Sequence, residues 1–505
     1  MTDTRRKSAL DESNTVETRN ATVAILGAGI SGIAMGMELR RSGIDDFTIY
    51  EKQPDVGGTW LRNTWPGLHC DVPSHMYCYS SEPNPDWSMT YSGQAEIHAY
   101  LRSCAEKHDL IDKIQFNTMI DTARYDEGEG RWILETVDGQ THTHRILVSA
   151  TGGLAEPKLP KIDGYDLFEG EWWHSAAWRH DVDLTGKRVA VVGSAASAVT
   201  VVPSVADVAS EVFVFSRSPN WVVPRSNHLY SEEEKAGFRD SKTWQELRRK
   251  QYRTSLFLYR AFKRHERARV GLRLIGARHM SASIDDPELI EQLTPDYEPG
   301  CKRILVSDDF YSTLAKDHVH LIPRAVTALT ANSVVAADGS RTPVDVVIFS
   351  TGYSQGTKLG GRAAVDIFGR NGQHILMALA ERPEAYRGVA VPGFPNYFTV
   401  CGINGVVAYA AFFLSAELGA SYIAQLTRRL LDPGLKSIEA RPGATRSYND
   451  EIQSELQDMS WAEACTNFYK DASGRVLAFF PGTLGRMRRE LRTVHEGDFR
   501  FEQFG

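Results

Sequence analysis

Two strand, glycine-loop, helix, strand stretches and an internal repeat predict an α/β chain: two dinucleotide-binding (Rossmann-like) domains with a helical insertion in the second. The first stretch opens with the β-branched run Thr22 to Leu26, suited to a strand buried on both faces, and passes into Gly27-Ala28-Gly29-Ile30-Ser31-Gly32. A helical segment from Ile33 to Arg41 stops at Gly43, and the next apolar run, Phe47 to Tyr50, ends at Glu51, nineteen residues past Gly32. The second stretch runs from Arg188 to Val192, through Gly193-Ser194-Ala195-Ala196-Ser197-Ala198, to Glu211 to Phe215 and then Ser216 and Arg217.

The repeat supports a duplication. Trp132 to Val137, the turn Asp138-Gly139 and Ile146 to Val148 ending in Ala150-Thr151-Gly152 are echoed 200 residues later. The echo is Val334 to Ala337, Asp338-Gly339 and Val346 to Phe349 ending in Ser350-Thr351-Gly352. Each copy reads as a hairpin inserted in a nucleotide-binding unit, followed by a strand returning to its parallel sheet; chance likeness of two Asp-Gly hairpins is the alternative. Between the second unit and its returning strand, Ser231 to Leu293 alternates Arg and Lys with Leu256, Phe257, Tyr259, Phe262 and Leu272, which predicts helices with a solvated basic face and no chemistry, a basic face meeting an anionic membrane or an acidic partner being the alternative. The expected division is a disordered tail over 1–20, a first domain over 21–155 and 385–505, and a second over 156–384, with the insertion at about 231–297.

Composition excludes several classes. The 505 residues carry a net charge of −7 with 24% charged and 42% hydrophobic residues, a soluble globular balance with no sign of nucleic-acid binding. The longest clean apolar run, Val406 to Leu414, is nine residues, too short to span a bilayer, and the first twenty residues lack a secretory signal. Six cysteines (Cys70, Cys78, Cys104, Cys301, Cys401, Cys465) show no CxxC spacing, which argues against a disulfide scaffold, a zinc site or a dithiol pair and fits a reducing cytoplasm.

The glycine loops carry the first chemistry. Gly27 permits the tight turn, Gly29 lets backbone approach a pyrophosphate, and Gly32 brings helix against strand so that unpaired N–H groups aim at phosphate. Glu51 is placed to accept from ribose hydroxyls; a purely structural glycine turn is the plain alternative. The second unit ends in Arg217 instead of an acid. A carboxylate would repel a 2′-phosphate and a guanidinium pairs with it, so NADPH is favoured over NADH. Only Gly193 survives of its glycines, with Ser194 and Ser197 beside it, and loose or absent nicotinamide binding stays open there.

A longer pattern follows the first loop. It comprises Asp55-Val56-Gly57-Gly58-Thr59-Trp60, Trp65-Pro66-Gly67-Leu68-His69-Cys70-Asp71-Val72-Pro73-Ser74, Tyr77, and Glu82-Pro83-Asn84-Pro85-Asp86-Trp87-Ser88. With Phe168, Gly170, His174 and Trp178, then Gly300-Cys301-Lys302-Arg303, Pro392-Gly393-Phe394-Pro395-Asn396 and Gly402-Ile403-Asn404, it closely resembles the class B flavoprotein monooxygenases, in particular type I Baeyer-Villiger monooxygenases. Arg179 stands where that family's fingerprint ends in Pro or Asp.

The resemblance implies FAD on the first unit and NADPH on the second, with small-molecule carbonyl substrate and O2 reacting through a flavin peroxide to an ester or lactone. It implies that Arg303 stabilises the peroxide and adduct oxyanion, that Asp71 orients it, and that Lys302 joins Arg217 at the 2′-phosphate. Gly58, Thr59, Trp60, Asp71, Tyr77 and Asn404 fall in its flavin-contacting motifs. Fixed positive charge in a dry site is what a developing alkoxide needs, and arginine keeps its proton there. Related chemistry on nitrogen or sulfur is the alternative, and a flavoprotein reductase or binding protein without productive oxygenation a second.

Overall fold

The computed structural model describes residues 21–154, 157–353 and 365–505. The expected tail over 1–20 lies outside the described residues, as does the expected boundary at 155–156.

Two parallel sheets organise the chain. In the first the order is Tyr397–Thr399, Ile146–Ser149, Val23–Leu26, Phe47–Tyr50, Ile114–Gln115, all neighbours parallel. In the second it is Glu171–His174, Val346–Phe349, Arg188–Val192, Glu211–Phe215, Val319–Ile322, again all parallel. The central strands are continuous apolar runs because helices and hairpins cover both faces, and Val23, Ala24, Ile25, Val189, Ala190 and Val191 are fully buried.

Each sheet carries the insertion its sequence announces. Arg131–Thr136 and Thr141–His144 form an antiparallel hairpin around Asp138-Gly139, joined by Ile120–Asp126. Val326–Thr330, Ser333–Ala336 and Arg341–Pro343 do the same in the second unit. From each the chain returns as a parallel strand beside the first strand of its unit.

The segment from Ser231 onward forms the helices Glu232–Phe238, Ser241–Phe262, Glu266–Ser281 and Pro287–Leu293. A Ser231/Glu234 capping box starts the first, and Asp240 and Asp286 cap the second and fourth. The basic face is not merely solvated, which corrects the sequence expectation. Arg264 and Arg269 pair with Glu463, Arg273 with Glu298, and the Tyr259 hydroxyl donates to the Pro481 carbonyl at 3.2 Å. The Glu463 pairs and the Tyr259 hydroxyl fasten the helices to the C-terminal part of the chain, and the Glu298 pair fastens them to the segment before Cys301.

Candidate active site between the two nucleotide units

The first loop is built by close backbone approach. Gly27 has φ +99°, and a Cβ there would lie 3.0 Å from the Ala150 carbonyl oxygen of the returning strand. At Gly32 a Cβ would fall 1.8 Å from the Gly27 oxygen, so only glycine lets the helix Ile30–Arg41 start so near the strand. At Gly29 the nearest atom to a Cβ is Gly58 Cα at 3.5 Å, ordinary contact, so the protein itself tolerates a methyl there. A side chain at Gly29 would fill the cradle where a pyrophosphate must come close to backbone, and this is how the residues fit FAD.

Gly57 N donates to the Ala28 oxygen at 3.0 Å, which lays the Gly57-Gly58-Thr59-Trp60 segment on the loop. Thr59 and Trp60 begin the helix Thr59–Arg62, and Trp60 Nε1 donates to the Tyr77 hydroxyl at 3.0 Å with the two rings edge to face. Glu51 is 5% exposed; its carboxylate accepts from Ala28 N at 2.7 Å and Gln53 N at 2.9 Å, which fixes it at the strand tip with lone pairs left for a ribose.

The second loop keeps one of these demands. Gly193 has φ +121°, and a Cβ would lie 2.4 Å from the Ser350 oxygen, the counterpart of Gly27 against Ala150. Register places Ser216 opposite Glu51, because Gly193 N donates to Phe215 O as Gly27 N donates to Tyr50 O. Ser216 Oγ donates to Ser194 Oγ at 2.8 Å, Ser197 precedes the helix Ala198–Ala206, and Arg217 follows, exposed.

Lys302 Nζ donates to Ser218 Oγ at 3.0 Å and lies 4.3 Å from the Tyr297 ring centroid. Burial pushes its ammonium below the ordinary lysine value; Asp296 opposes this and the nearby Arg217 adds to it, so two cations come near a serine, Ser218, just past the strand tip. That donor set fits the 2′-phosphate of NADPH.

Arg303 and Asp71, 232 residues apart, meet between the units. Arg303 Nε donates to Asp71 Oδ2 at 2.8 Å and Nη2 donates to the same oxygen, leaving Nη1 outside the pair. Some 45% of the Arg303 side chain and 30% of Asp71 stay exposed, so the pair faces open space. Asp71 raises the guanidinium above its ordinary value against the cost of burial. Tyr469, which the sequence reading left without a role, is buried beside this pair, and burial keeps its hydroxyl protonated. Cys70 is held neutral by burial and then by Asp71, so neither neighbour adds a second negative charge.

The Asn404 side chain is 2% exposed, and Nδ2 donates to the Val476 and Phe479 carbonyls at 3.0 and 2.8 Å, pinning its own loop. One expectation changes. Cys301 and Cys465 are joined in a disulfide, which corrects the expectation of no dithiol pair; Cys70, Cys78, Cys104 and Cys401 are free thiols. Arg179 turns to the surface, paired with Asp181 and Glu171.

Within the same fingerprint, His174 is buried, accepts from Ala176 N at 3.1 Å and is pushed down to about 4 by burial. A Cβ at Gly170 would lie 2.4 Å from the Asp345 oxygen. Sequence reasoning also missed how the units dock: Trp65 Nε1 donates to Thr200 Oγ1 at 2.9 Å, and a Cβ on Gly67 would strike Ser204 Oγ at 2.3 Å.

The flavin-binding monooxygenase-like family profile matches residues 20–359. A Baeyer-Villiger monooxygenase of Streptomyces coelicolor is 38% identical over 480 residues, covering 94% of this chain and 92% of the relative. One of Pseudomonas aeruginosa is 36% identical over 484 residues, covering 94% and 90%. This chain belongs to the Baeyer-Villiger monooxygenase family. A solved steroid monooxygenase in its oxidised form bound to NADP superimposes on this family member with a TM-score of 0.84, at 28% identity and covering 95% and 99% of the two chains. The solved structure of OTEMO in complex with FAD and NADP does so with a TM-score of 0.84 at 25% identity, with the same coverage.

Proposed function

We propose that this FAD- and NADPH-dependent Baeyer-Villiger monooxygenase uses Arg303, oriented by Asp71, to stabilise the oxyanion formed when a ketone carbonyl is attacked on the way to an ester or lactone. The observation that carries the assignment is the pairing of Arg303 Nε and Nη2 with one Asp71 oxygen on open space between the two nucleotide units. When bound, NADPH supplies hydride and FAD the activated form of O2.

The chain supplies position and charge. Asp71 holds the guanidinium plane and offsets its desolvation, so Nη1 is presented with little freedom. A carbonyl oxygen gains negative charge only as attack proceeds, and a fixed guanidinium therefore favours the transition state over bound ketone. Attack on an amine or sulfide creates no such oxyanion, so the pair supports the carbonyl reading over the heteroatom one. Gly27, Gly29, Gly32, Glu51, Gly58, Thr59, Trp60 and Tyr77 are proposed to hold FAD, and Gly193, Ser194, Ser197, Arg217 and Lys302 to hold NADPH. The proposed division places FAD on 21–155 with 385–505 and NADPH on 156–384. Among the described residues no helix is long and apolar enough to cross a membrane. We place the enzyme in the cytoplasm, where its four free thiols stay reduced and its one disulfide, Cys301–Cys465, meets a reducing thiol pool.

The test is Arg303→Ala. Flavin reduction by NADPH should survive while ester formation from a ketone panel falls about a hundredfold or more, as for loss of an oxyanion donor. Ester yield unchanged by the substitution would remove Arg303 from the mechanism.

A further inference from the structure

The disulfide ties the segment that carries Lys302 and Arg303 to the C-terminal part of the chain. Cys301 and Cys465 are 164 residues apart with Cα atoms at 6.3 Å, and Cys301 immediately precedes Lys302 and Arg303. On its far side the 297–306 segment is held to the second unit. Tyr297 OH donates to the Pro219 carbonyl at 3.1 Å, Lys302 Nζ donates to Ser218 Oγ, and Leu305 N donates to the Trp221 oxygen at 2.9 Å. On the near side the polar tie to the 459–469 segment is Asn467 Nδ2, which donates to the Cys301 carbonyl at 3.0 Å and to the Trp461 carbonyl at 3.1 Å. That segment continues into Tyr469, beside Arg303 and Asp71.

We propose that the Cys301–Cys465 disulfide is a redox-controlled clamp that positions Lys302 and Arg303, tightening NADP+ retention and coupled oxygenation when formed and relaxing both when reduced. The inference rests on the function proposed above. Neither cysteine touches substrate in this scheme; both are positioning residues. Cys301 is 1% exposed and Cys465 partly exposed, so a reductant enters at Cys465 Sγ.

A dithiol attacks there as its thiolate, forming a mixed disulfide and expelling the Cys301 thiolate, which takes up a proton. The second thiol of the reductant then closes its own disulfide and releases Cys465. The protein gains two electrons and two protons, and the dithiol loses them. Hydrogen peroxide reverses the step: two thiols and H2O2 give the disulfide and two waters. Of the other thiols Cys70, Cys78 and Cys104 are buried, and Cys401, partly exposed, is a free thiol outside any disulfide, so among the described residues the clamp is the dithiol–disulfide couple.

The experiment uses the FAD-loaded enzyme, oxidised with hydrogen peroxide or reduced with dithiothreitol and then freed of reagent. Denatured thiol titration should find four thiols in the first and six in the second. Reduction should raise the NADP+ dissociation constant about two- to tenfold, the equivalent of losing one positioned hydrogen bond, and lower the ester formed per NADPH, with FAD content unchanged. Peroxide should restore both. Cys465→Ser, at the more exposed cysteine, should behave as the reduced enzyme and ignore either reagent. Six thiols after peroxide, or an NADP+ affinity and ester yield indifferent to the redox state, would overturn the clamp. An NADP+ affinity that follows the redox state in an enzyme forming no ester from any ketone would uphold the clamp and sink the proposed function instead.

Discussion

The two nucleotide units share one sheet layout and differ at the loop. Each runs edge strand, returning strand, first, second, third, yet the edge strand comes from Tyr397–Thr399 in one and Glu171–His174 in the other. Gly27 and Gly193 answer the same demand, since the returning strand leaves no room for a Cβ at either. Gly32 and Ala198 do not. The first helix crowds its strand until a Cβ would sit 1.8 Å from a carbonyl oxygen, whereas the second has moved enough to bury the Ala198 methyl. At the strand tip Glu51 is replaced by Ser216, with Arg217 and Lys302 near it. The lesson is that the glycine fingerprint mixes separable requirements. The turn glycine belongs to the fold, the helix glycine to how closely the phosphates are gripped, and the tip residue to the charge of the ribose.

The comparison can be broken at each point. Gly32→Ala should have the largest effect: no rotamer relieves a backbone clash, so the helix start must shift, and purified protein should be colourless or unfolded, read by visible flavin absorbance and circular dichroism. Its counterpart Ala198→Gly should fold and keep both cofactors.

Next comes the ribose. Arg217→Ala should weaken NADPH by about ten- to a hundredfold, the worth of a charge-assisted pair, and leave NADH nearly unchanged. Ser216→Glu, which copies the first unit, should narrow the preference further by repelling the 2′-phosphate. Steady-state kcat/KM with both cofactors measures this, and equal losses for NADH and NADPH would break the assignment.

Acid should weaken both units. Burial holds His144 in the first unit's hairpin, His75 against Tyr230 and Phe238 of the inserted segment, and His174 in the second sheet down to about 4. The unfolded chain therefore takes up protons that the folded chain refuses between about pH 6.5 and 4, and stability falls as pH drops through that window. A Tm flat from pH 7 to 4.5 would contradict it. His174→Gln should shallow the slope. Ala198→Gly should be the smallest change, about 1 kcal/mol of helix stability, read as a small fall in Tm.

The family resemblance alone brought Lys302 to Arg217; the two sheets, the hairpins at Asp138-Gly139 and Asp338-Gly339, the first glycine loop with Glu51 and the basic Arg217 after the second strand tip were legible in the sequence. These are signals of local period and spacing, and motifs such as Trp65-Pro66-Gly67 and Lys302-Arg303 are contiguous in the chain. Only the tertiary structure decided which distant residues meet. Tyr469 comes beside Arg303 and Asp71, Thr200 takes the Trp65 indole, and Cys301 finds Cys465 across 164 residues. It also set the Asn404 Nδ2 donor on the Val476 and Phe479 carbonyls, because carbonyls buried away from water need a donor within the protein. Sequence patterns report what each segment can form with its neighbours in the chain, whereas such pairings depend on how the two sheets, the inserted helices and the C-terminal segment pack together.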